Sequence, residues 1–233
     1  AGTEPESGRP FGEIHISVRG LVEFILRHGD IDNRHKASPD NAMQEGGRIH
    51  RKIQRRMGAE YRAEVPLSCR IAREEYILVV EGRADGIISK EGRVTIDEIK
   101  GTYREVSKMR DAVPVHLAQA KCYAFIYGTQ NNLEKIRVRL TYCNMDTEEI
   151  KRFQSVFSFE ALKGWFFDVL GRYERWASHQ IRWREKRNAS IKELRFPFTY
   201  RDGQKDLVTY VYQTIYHKRK LFIEAPTGVG KTI

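Results

Sequence analysis

The chain has 233 residues, 40% of them hydrophobic and 11% aromatic, enough to bury the core of one good-sized domain and part of another. Lysine and arginine number 41 against 31 acidic residues, and this net charge of +10 suits a polyanionic partner, with nucleic acid as the first candidate. The three widely spaced cysteines, Cys69, Cys122 and Cys143, favour neither a disulfide framework nor a CxxC metal knuckle. No long apolar run indicates a membrane span, and no signal peptide opens the sequence, so we expect a cytoplasmic protein without a membrane partner.

The first predicted helix follows a polar N-terminus, residues 1–13, that we expect to be flexible. Ser17 can cap this helix, and Gly29 suits its end. Its apolar stripe predicts core packing rather than a site, and comprises Leu21, Val22, Ile25 and Leu26.

A second helix is predicted from Asn41 to Met57, with His50 at the edge of its apolar stripe. A histidine in this position is ordinarily a core or surface residue. Cations follow one another on the same helix with no acid between Arg48 and Met57, and they would repel at these spacings. A solvated helix face is the alternative, but the run favours a surface that tracks DNA phosphates. The five cations are Arg48, Arg51, Lys52, Arg55 and Arg56.

A β-hairpin is predicted next, because two β-rich runs, Ala84 to Lys90 and Arg93 to Lys100, flank Glu91-Gly92, a plausible two-residue turn. If Lys90 pairs with Arg93, the antiparallel register places Asp85 directly across from Glu98, with Cβ atoms about 5 Å apart. Side chains alternate along a strand, so Glu98 and Lys100 share one face.

Two carboxylates placed opposite each other destabilise a sheet unless a cation compensates them. Magnesium prefers such oxygens, and Asp85, Glu98 and the Ile99 carbonyl could supply them. Lys100 could orient a water and offset charge on a phosphate. This is the machinery of phosphodiester hydrolysis, although the spacing taken alone favours a solvated hairpin whose charges form surface pairs.

The remaining elements alternate between helix and strand. A strand is predicted to begin at Glu64, and a helix from Met109 to Gly128 carries Gln119 and Tyr123 on one face. Further along come a half-buried strand, a long helix and a basic connector, which span Lys135 to Cys143, Ser158 to Ala177 and Arg172 to Arg195.

Taken in order, Gly46-x-x-x-His50, Asp85, Glu98-Ile99-Lys100 and Gln119-x-x-x-Tyr123 resemble the motifs of the RecB-like branch of the PD-(D/E)xK nucleases. The resemblance covers residues 14 to about 180. It implies an α/β fold with a mixed central sheet flanked by helices.

The resemblance also implies roles at the site. Asp85, Glu98 and the Ile99 carbonyl would bind Mg²⁺ or Mn²⁺, His50 would be a further ligand, and Lys100 would be catalytic. Gln119 and Tyr123 would lie on a helix against the site and contact the DNA strand. The usual proline before the first motif aspartate is Ala84 here.

The end of the sequence differs from the nuclease pattern. A helix over residues 203–217 and a strand from Leu221 to Ala225 lead into A-P-T-G-V-G-K-T, residues 225–232, which is the context of a phosphate-binding loop. The segment resembles motif I of DinG/XPD-type superfamily-two DNA helicases. The residues expected to bind ATP, in the full-length protein only, are Gln204, Thr227, Gly228, Gly230, Lys231 and Thr232.

We therefore predict a RecB-like nuclease domain over residues 14–190 and the truncated start of a helicase motor over 191–233. The expected function is Mg- or Mn-dependent DNA cleavage within a DNA-repair helicase-nuclease, as an exonuclease acting on single strands, ends or flaps. Its partners would be DNA and the missing helicase domains of its own chain. The alternatives are a non-catalytic DNA-binding clamp and a P-loop ATPase with an unrelated N-terminal domain.

Overall fold

The computed structural model describes residues 12–27 and 39–224, with the side chains of 39–43 left undescribed. The strands are β1 (Glu13–Ser17), β2 (Tyr61–Ala72), β3 (Ile77–Lys90), β4 (Arg93–Thr102), β5 (Lys135–Asn144) and β6 (Ile150–Ser158). The α-helices are α1 (Val18–Leu26), α2 (Pro39–Arg55), α3 (Pro114–Asn131), α4 (Phe159–Glu193) and α5 (Gln204–Tyr216), with a 3-10 turn at Val106–Lys108.

The six strands form one mixed sheet in the order β1-β3-β4-β5-β6, with β2 also paired to β3. β1 runs parallel to β3, and β4 runs parallel to β5 across the α3 crossover, whereas the other pairs are antiparallel. The predicted α/β class with a mixed sheet flanked by helices is confirmed.

The chain divides into two compact units, residues 1–181 and 182–233. In the first unit, α1, α3 and α4 contribute to the main hydrophobic cluster through residues such as Leu21, Ile126 and Phe166. A smaller cluster joins Ile49 and Ile53 of α2 to Ile99 of β4. Strand β4 therefore has α2 packed on one face and the main core on the other.

Local sequence signals explain several element boundaries. Ser17 Oγ accepts a hydrogen bond from the Gly20 amide at 2.9 Å, which is the predicted cap of α1. Glu91 and Gly92 both have positive φ, 50° and 71°, as a tight two-residue hairpin turn requires, and Lys90 pairs with Arg93 as predicted.

Other boundaries differ from the sequence expectation. α1 ends at Leu26 rather than at Gly29, and α2 spans 39–55 rather than 41–57. α3 begins at Pro114 and not at Met109, because Pro114 keeps the preceding residue out of the helical region. α4 continues to Glu193, so most of the predicted basic connector is helical. No helix in the described ranges is long and apolar enough to cross a membrane.

Candidate metal and nuclease site

A gap in the edge of β3 creates the site. On this edge β1 pairs with residues 77–81 and β4 with residues 86–90, so the described strands leave 82–85 unpaired between them. Asp85 is the last residue of the gap. The predicted hairpin register holds as far as Gly86 and Asp97. Beyond that pair the strands separate, so the predicted direct pairing of Asp85 with Glu98 is wrong.

The Asp85 side chain links β3 to β4 where the strand pairing stops. Its Oδ2 accepts a hydrogen bond from the Ile99 amide at 2.7 Å, so the carboxylate bonds the backbone of β4 in place of a strand partner. The Ile99 side chain meanwhile lies in the α2 cluster. This bond fixes Asp85 beside the Glu98-Ile99-Lys100 segment.

Glu98 and Lys100 share one face of β4, as strand alternation predicts. The Lys100 Nζ lies 2.8 Å from Glu98 Oε1 and donates to Gln119 Oε1 of α3 at 3.2 Å. Glu98 is 1% exposed, and its Oε2 is buried without a hydrogen-bond partner among the described residues. A buried carboxylate oxygen without a partner is costly unless a cation or water satisfies it.

Electrostatics at Glu98 point the same way. Burial, together with the nearby charge of Asp85, raises the pKa of Glu98 to about 8 against the opposing effects of Lys100 and His50. A divalent ion bound there would stabilise the charged carboxylate. The pocket therefore favours either a proton or a metal on Glu98.

His50 reaches the site from α2. Its Nδ1 lies 3.4 Å from Asp85 Oδ1. Burial disfavours its protonated ring, but the hydrogen bond to Asp85 and the charges of Asp85 and Glu98 outweigh this, so the pKa of His50 is raised. The structure therefore brings together His50, Asp85, Glu98, Lys100 and Gln119, five of the residues predicted from the sequence.

The gap in β3 is filled by Tyr123 from α3. A Cβ on Gly82 would lie 2.6 Å from the Tyr123 hydroxyl, so only glycine fits there. The hydroxyl bonds the backbone of Arg83 and the side chain of Gln119, while burial raises the pKa of Tyr123. Tyr123 thus packs against the open strand edge, and Gln119 links it to Lys100.

The donor set fits a hard divalent ion only with help from other oxygens. Within the described ranges, no three His, Cys, Asp or Glu side chains are arranged to hold a metal by themselves. Magnesium commonly takes one or two carboxylates and keeps several waters, which matches Asp85 and Glu98 with the unpartnered Glu98 oxygen.

The family model described as the PD-(D/E)XK nuclease superfamily matches residues 26–199, which is most of the chain. The chain belongs to this superfamily. Members of the PD-(D/E)XK nuclease superfamily generally use divalent metal ions, in accord with the carboxylates of the site.

Solved structures with similar folds include three at low sequence identity. The alkaline exonuclease LHK-Exo from Laribacter hongkongensis is 12% identical, with TM-score 0.49 and 76% of this chain and 94% of that chain covered. Its complex with dAMP is 13% identical with TM-score 0.47 and the same coverage. SSO0001 is 16% identical with TM-score 0.46 and coverage of 72% and 78%. No curated protein matches the chain.

Behind the site of this PD-(D/E)XK chain lies a polar network that sequence reasoning missed. Asp97, 0% exposed, faces away from Glu98 and accepts hydrogen bonds from Arg139 Nε at 2.8 Å and Nη2 at 2.7 Å. Thr141 Oγ1 donates to it at 2.7 Å and the Tyr61 hydroxyl at 3.3 Å. The Tyr61 ring lies over Gly86, where a Cβ would meet its hydroxyl at 1.9 Å. The network anchors β4 beside the site.

The basic run on α2 needs a correction. Glu148, in the turn between β5 and β6, bonds Lys52 Nζ at 2.5 Å and lies 3.7 Å from Arg48. Two of the five cations are therefore compensated by an acid that is distant in sequence. The cations of the run that remain exposed, with no ion-pair partner among the described residues, are Arg51, Arg55 and Arg56.

The phosphate-loop residues Thr227, Gly228, Gly230, Lys231 and Thr232 lie outside the described residues. Gln204 begins α5, and its Oε1 accepts a hydrogen bond from the Arg201 amide at 2.8 Å. The strand predicted from Leu221 is wrong for residues 221–224, which have no regular secondary structure. The described part of unit 182–233 contains no strand to pair with them, and an unpaired strand is not stable.

Proposed function

We propose that the chain is a metal-dependent deoxyribonuclease whose site is formed by the β3–β4 hairpin. The observation that supports this most strongly is the buried Glu98 oxygen without a hydrogen-bond partner, beside Asp85 and within reach of a lysine. A structural ion pair would satisfy both oxygens of the carboxylate. This arrangement leaves one of them for a metal.

In the proposed site, Asp85 and Glu98 hold the ion, with the Ile99 carbonyl and His50 as further ligands. A bound Mg²⁺ or Mn²⁺ supplies Lewis acidity at the phosphate that is attacked. Lys100 offsets the charge that develops on the phosphate and orients the attacking water. Gln119 fixes the Lys100 ammonium by accepting its hydrogen bond at 3.2 Å.

The substrate of the proposed enzyme is DNA, cleaved as an exonuclease at single strands, ends or flaps. The net charge of +10 and the exposed arginines of α2 support a polyanionic substrate. The predicted contact of Gln119 and Tyr123 with the strand that is cut is not retained, because these side chains are 9% and 3% exposed; they would instead hold Lys100 and the open edge of β3 in place.

We also propose that residues 191–233 begin a helicase motor that feeds single strands to the nuclease. The support is the sequence A-P-T-G-V-G-K-T, whose glycines, lysine and threonine suit nucleotide phosphates and magnesium. ATP would then bind at residues 225–232 of this motor.

The decisive experiment incubates end-labelled single- and double-stranded DNA with the protein in Mg²⁺, Mn²⁺ or EDTA. We expect shortening of at least one substrate with Mg²⁺ or Mn²⁺ and none with EDTA. Binding of DNA without cleavage under any of these conditions would favour the second candidate, a non-catalytic clamp, which the basic surface also supports.

A further inference from the structure

A second concave site lies on the face of β4 and β5 that α3 does not cover, close to the hairpin turn. This cavity has a volume of about 210 Å³. We name it the hairpin pocket, and its lining residues are Ile88, Lys90, Glu91, Arg93, Thr95, Arg137, Arg139 and Gln154. Four of these are cations and one is an acid.

The strand register forces these cations together. Lys90 and Arg93 are direct cross-strand partners, and Arg137 is the partner of Thr95 on the other side of β4. Like charges directly opposite each other destabilise a sheet. Lys90 lies 3.8 Å from Glu60, whereas Arg93 and Arg137 form no ion pair within residues 12–27 and 39–224.

Arg139 lines the pocket with a guanidinium group whose orientation is fixed. Its side chain is 12% exposed, and Asp97 binds it through Nε and Nη2. The guanidinium is therefore held in one orientation, with its remaining amino group unused by Asp97. That amino group can donate to a phosphate oxygen as a charged donor held in place by the Asp97 pair, and Thr95 and Gln154 add neutral donors.

The pocket lies at a solvent-exposed end of this face of the sheet. The α2 helix packs on the other end of this face, over Ile99 and Cys143. Near the pocket, the β6 residue Val156 is 58% exposed, and Gln154 is exposed too.

We propose that the hairpin pocket binds a backbone phosphate of the nucleic acid substrate, outside the metal site. This proposal rests on the proposed function. Thr95 and Glu98 are three residues apart along β4, about 10 Å at the rise of a strand, and their side chains lie on opposite faces. A bound strand would then be contacted both at the metal site and at the hairpin pocket, which lengthens the footprint of the enzyme on DNA.

The test compares two double variants of the whole chain, each of which removes two positive charges. Arg93→Gln/Arg137→Gln changes the hairpin pocket. The matched control, Arg19→Gln/Lys163→Gln, changes exposed residues of α1 and α4 that form surface pairs with Glu23 and Glu160. Affinity for a labelled oligonucleotide is measured by fluorescence anisotropy in EDTA over a range of salt concentrations, and cleavage is measured separately with Mn²⁺. Urea midpoints check that both variants fold.

We expect the pocket variant to bind DNA about tenfold more weakly at low salt, with a salt slope reduced by about one unit for each lost contact. The control variant should keep the affinity and slope of wild type. Equal slopes in the two variants would overturn the pocket while leaving the nuclease assignment intact if wild type cuts DNA. A weakened pocket variant of a protein that never cuts would overturn the nuclease assignment and support the pocket.

Inorganic phosphate provides a further arm. Phosphate is added at about 20-fold or greater molar excess over protein, and the unfolding temperature is measured. If phosphate raises the unfolding temperature of wild type but not of the pocket variant, while both proteins bind DNA equally, the pocket binds a free anion and the proposal fails. Competition by phosphate against DNA in wild type, reduced in the pocket variant, supports the proposal.

Discussion

Two neighbouring carboxylates of β4, Asp97 and Glu98, are equally buried and lie on opposite sides of the strand. The Asp97 oxygens accept hydrogen bonds from Arg139, Thr141 and Tyr61. Glu98 shares one oxygen with Lys100, and its other oxygen has no partner in the described structure. Burial alone therefore does not distinguish a structural acid from a candidate metal ligand, whereas the satisfaction of its oxygens does.

The largest effect on stability is expected when the hydrogen bonds of Asp97 are removed. Arg139→Met removes both guanidinium hydrogen bonds and leaves the buried Asp97 charge uncompensated, which should lower the free energy of unfolding by about 3–5 kcal/mol. Urea denaturation measures this. The double variant Asp97→Leu/Arg139→Met, which has no unpaired charge, should recover much of the loss. A loss below about 1 kcal/mol in the single variant would contradict the structural role of Asp97.

On the Glu98 side, substitution should affect the reaction rather than the fold. Lys100→Ala removes the ammonium that offsets charge on the phosphate, so cleavage should slow about a hundredfold or more, about 3 kcal/mol in the barrier. DNA affinity should remain close to that of wild type, because the carboxylates and the basic surface are retained. Labelled-DNA cleavage in Mn²⁺ and anisotropy in EDTA give the two values, and Lys163→Ala is the control. Equal cleavage rates for Lys100→Ala and wild type would show that Lys100 is not catalytic.

Addition of metal should also distinguish Glu98 from Asp97. At a Mn²⁺ concentration 100 times the Kd, wild type should gain about 2.7 kcal/mol of stability, seen as a rise in unfolding temperature. Glu98→Gln keeps the shape of the side chain but removes its charge, so most of this gain should disappear, and without metal the variant should be at least as stable as wild type. Asp97→Asn serves as the comparison, since this variant should still gain stability when Mn²⁺ is added. The same gain in Glu98→Gln as in wild type would place the metal elsewhere.

A smaller effect should come from His116 of α3, whose Nδ1 lies 3.0 Å from the Tyr142 hydroxyl. Burial, helped by the charge of Lys100, lowers the pKa of His116 from 6.5 to about 4. The native state then binds fewer protons than the unfolded chain between these values, so His116 makes stability fall as the pH drops from 6.5 to about 4. The contribution is roughly 1–2 kcal/mol. The urea midpoint of wild type relative to that of His116→Gln should therefore fall as the pH drops across this range, and parallel profiles would contradict it.

Local signals in the sequence predicted the centre of the molecule well. The Glu91-Gly92 turn fixed the register of the hairpin, strand alternation placed Glu98 and Lys100 together, and helical spacing placed Gln119 beside Tyr123. These features depend on residues close together in the chain, where backbone geometry decides the outcome. The metal roles of His50, Asp85, Glu98 and Ile99 remain predictions.

The features that were missed depend on contacts between distant segments. Glu148 neutralises Lys52 from 96 positions away, and β1 and β6 were not predicted because they are short or lack strict alternation. The sequence did hold one usable signal for the Asp97 network. Arg139 and Thr141 alternate with buried apolar residues of β5, and a guanidinium enclosed in this way requires an acid beside it.

The Glu91-Gly92 turn also bears on the order in which the site is assembled during folding. Asp85 and Ile99 are 14 positions apart, so closing the loop between them costs little chain entropy. Gln119 arrives only when the chain crosses through α3 and β5 pairs parallel with β4, a non-local step that is intrinsically slow. The two carboxylates therefore meet before the amide that steadies Lys100 is in place. Opening the chain at this turn and linking residue 233 to residue 1 would make the Asp85–Ile99 contact one of the most distant in the sequence, and the carboxylates would then be brought together last.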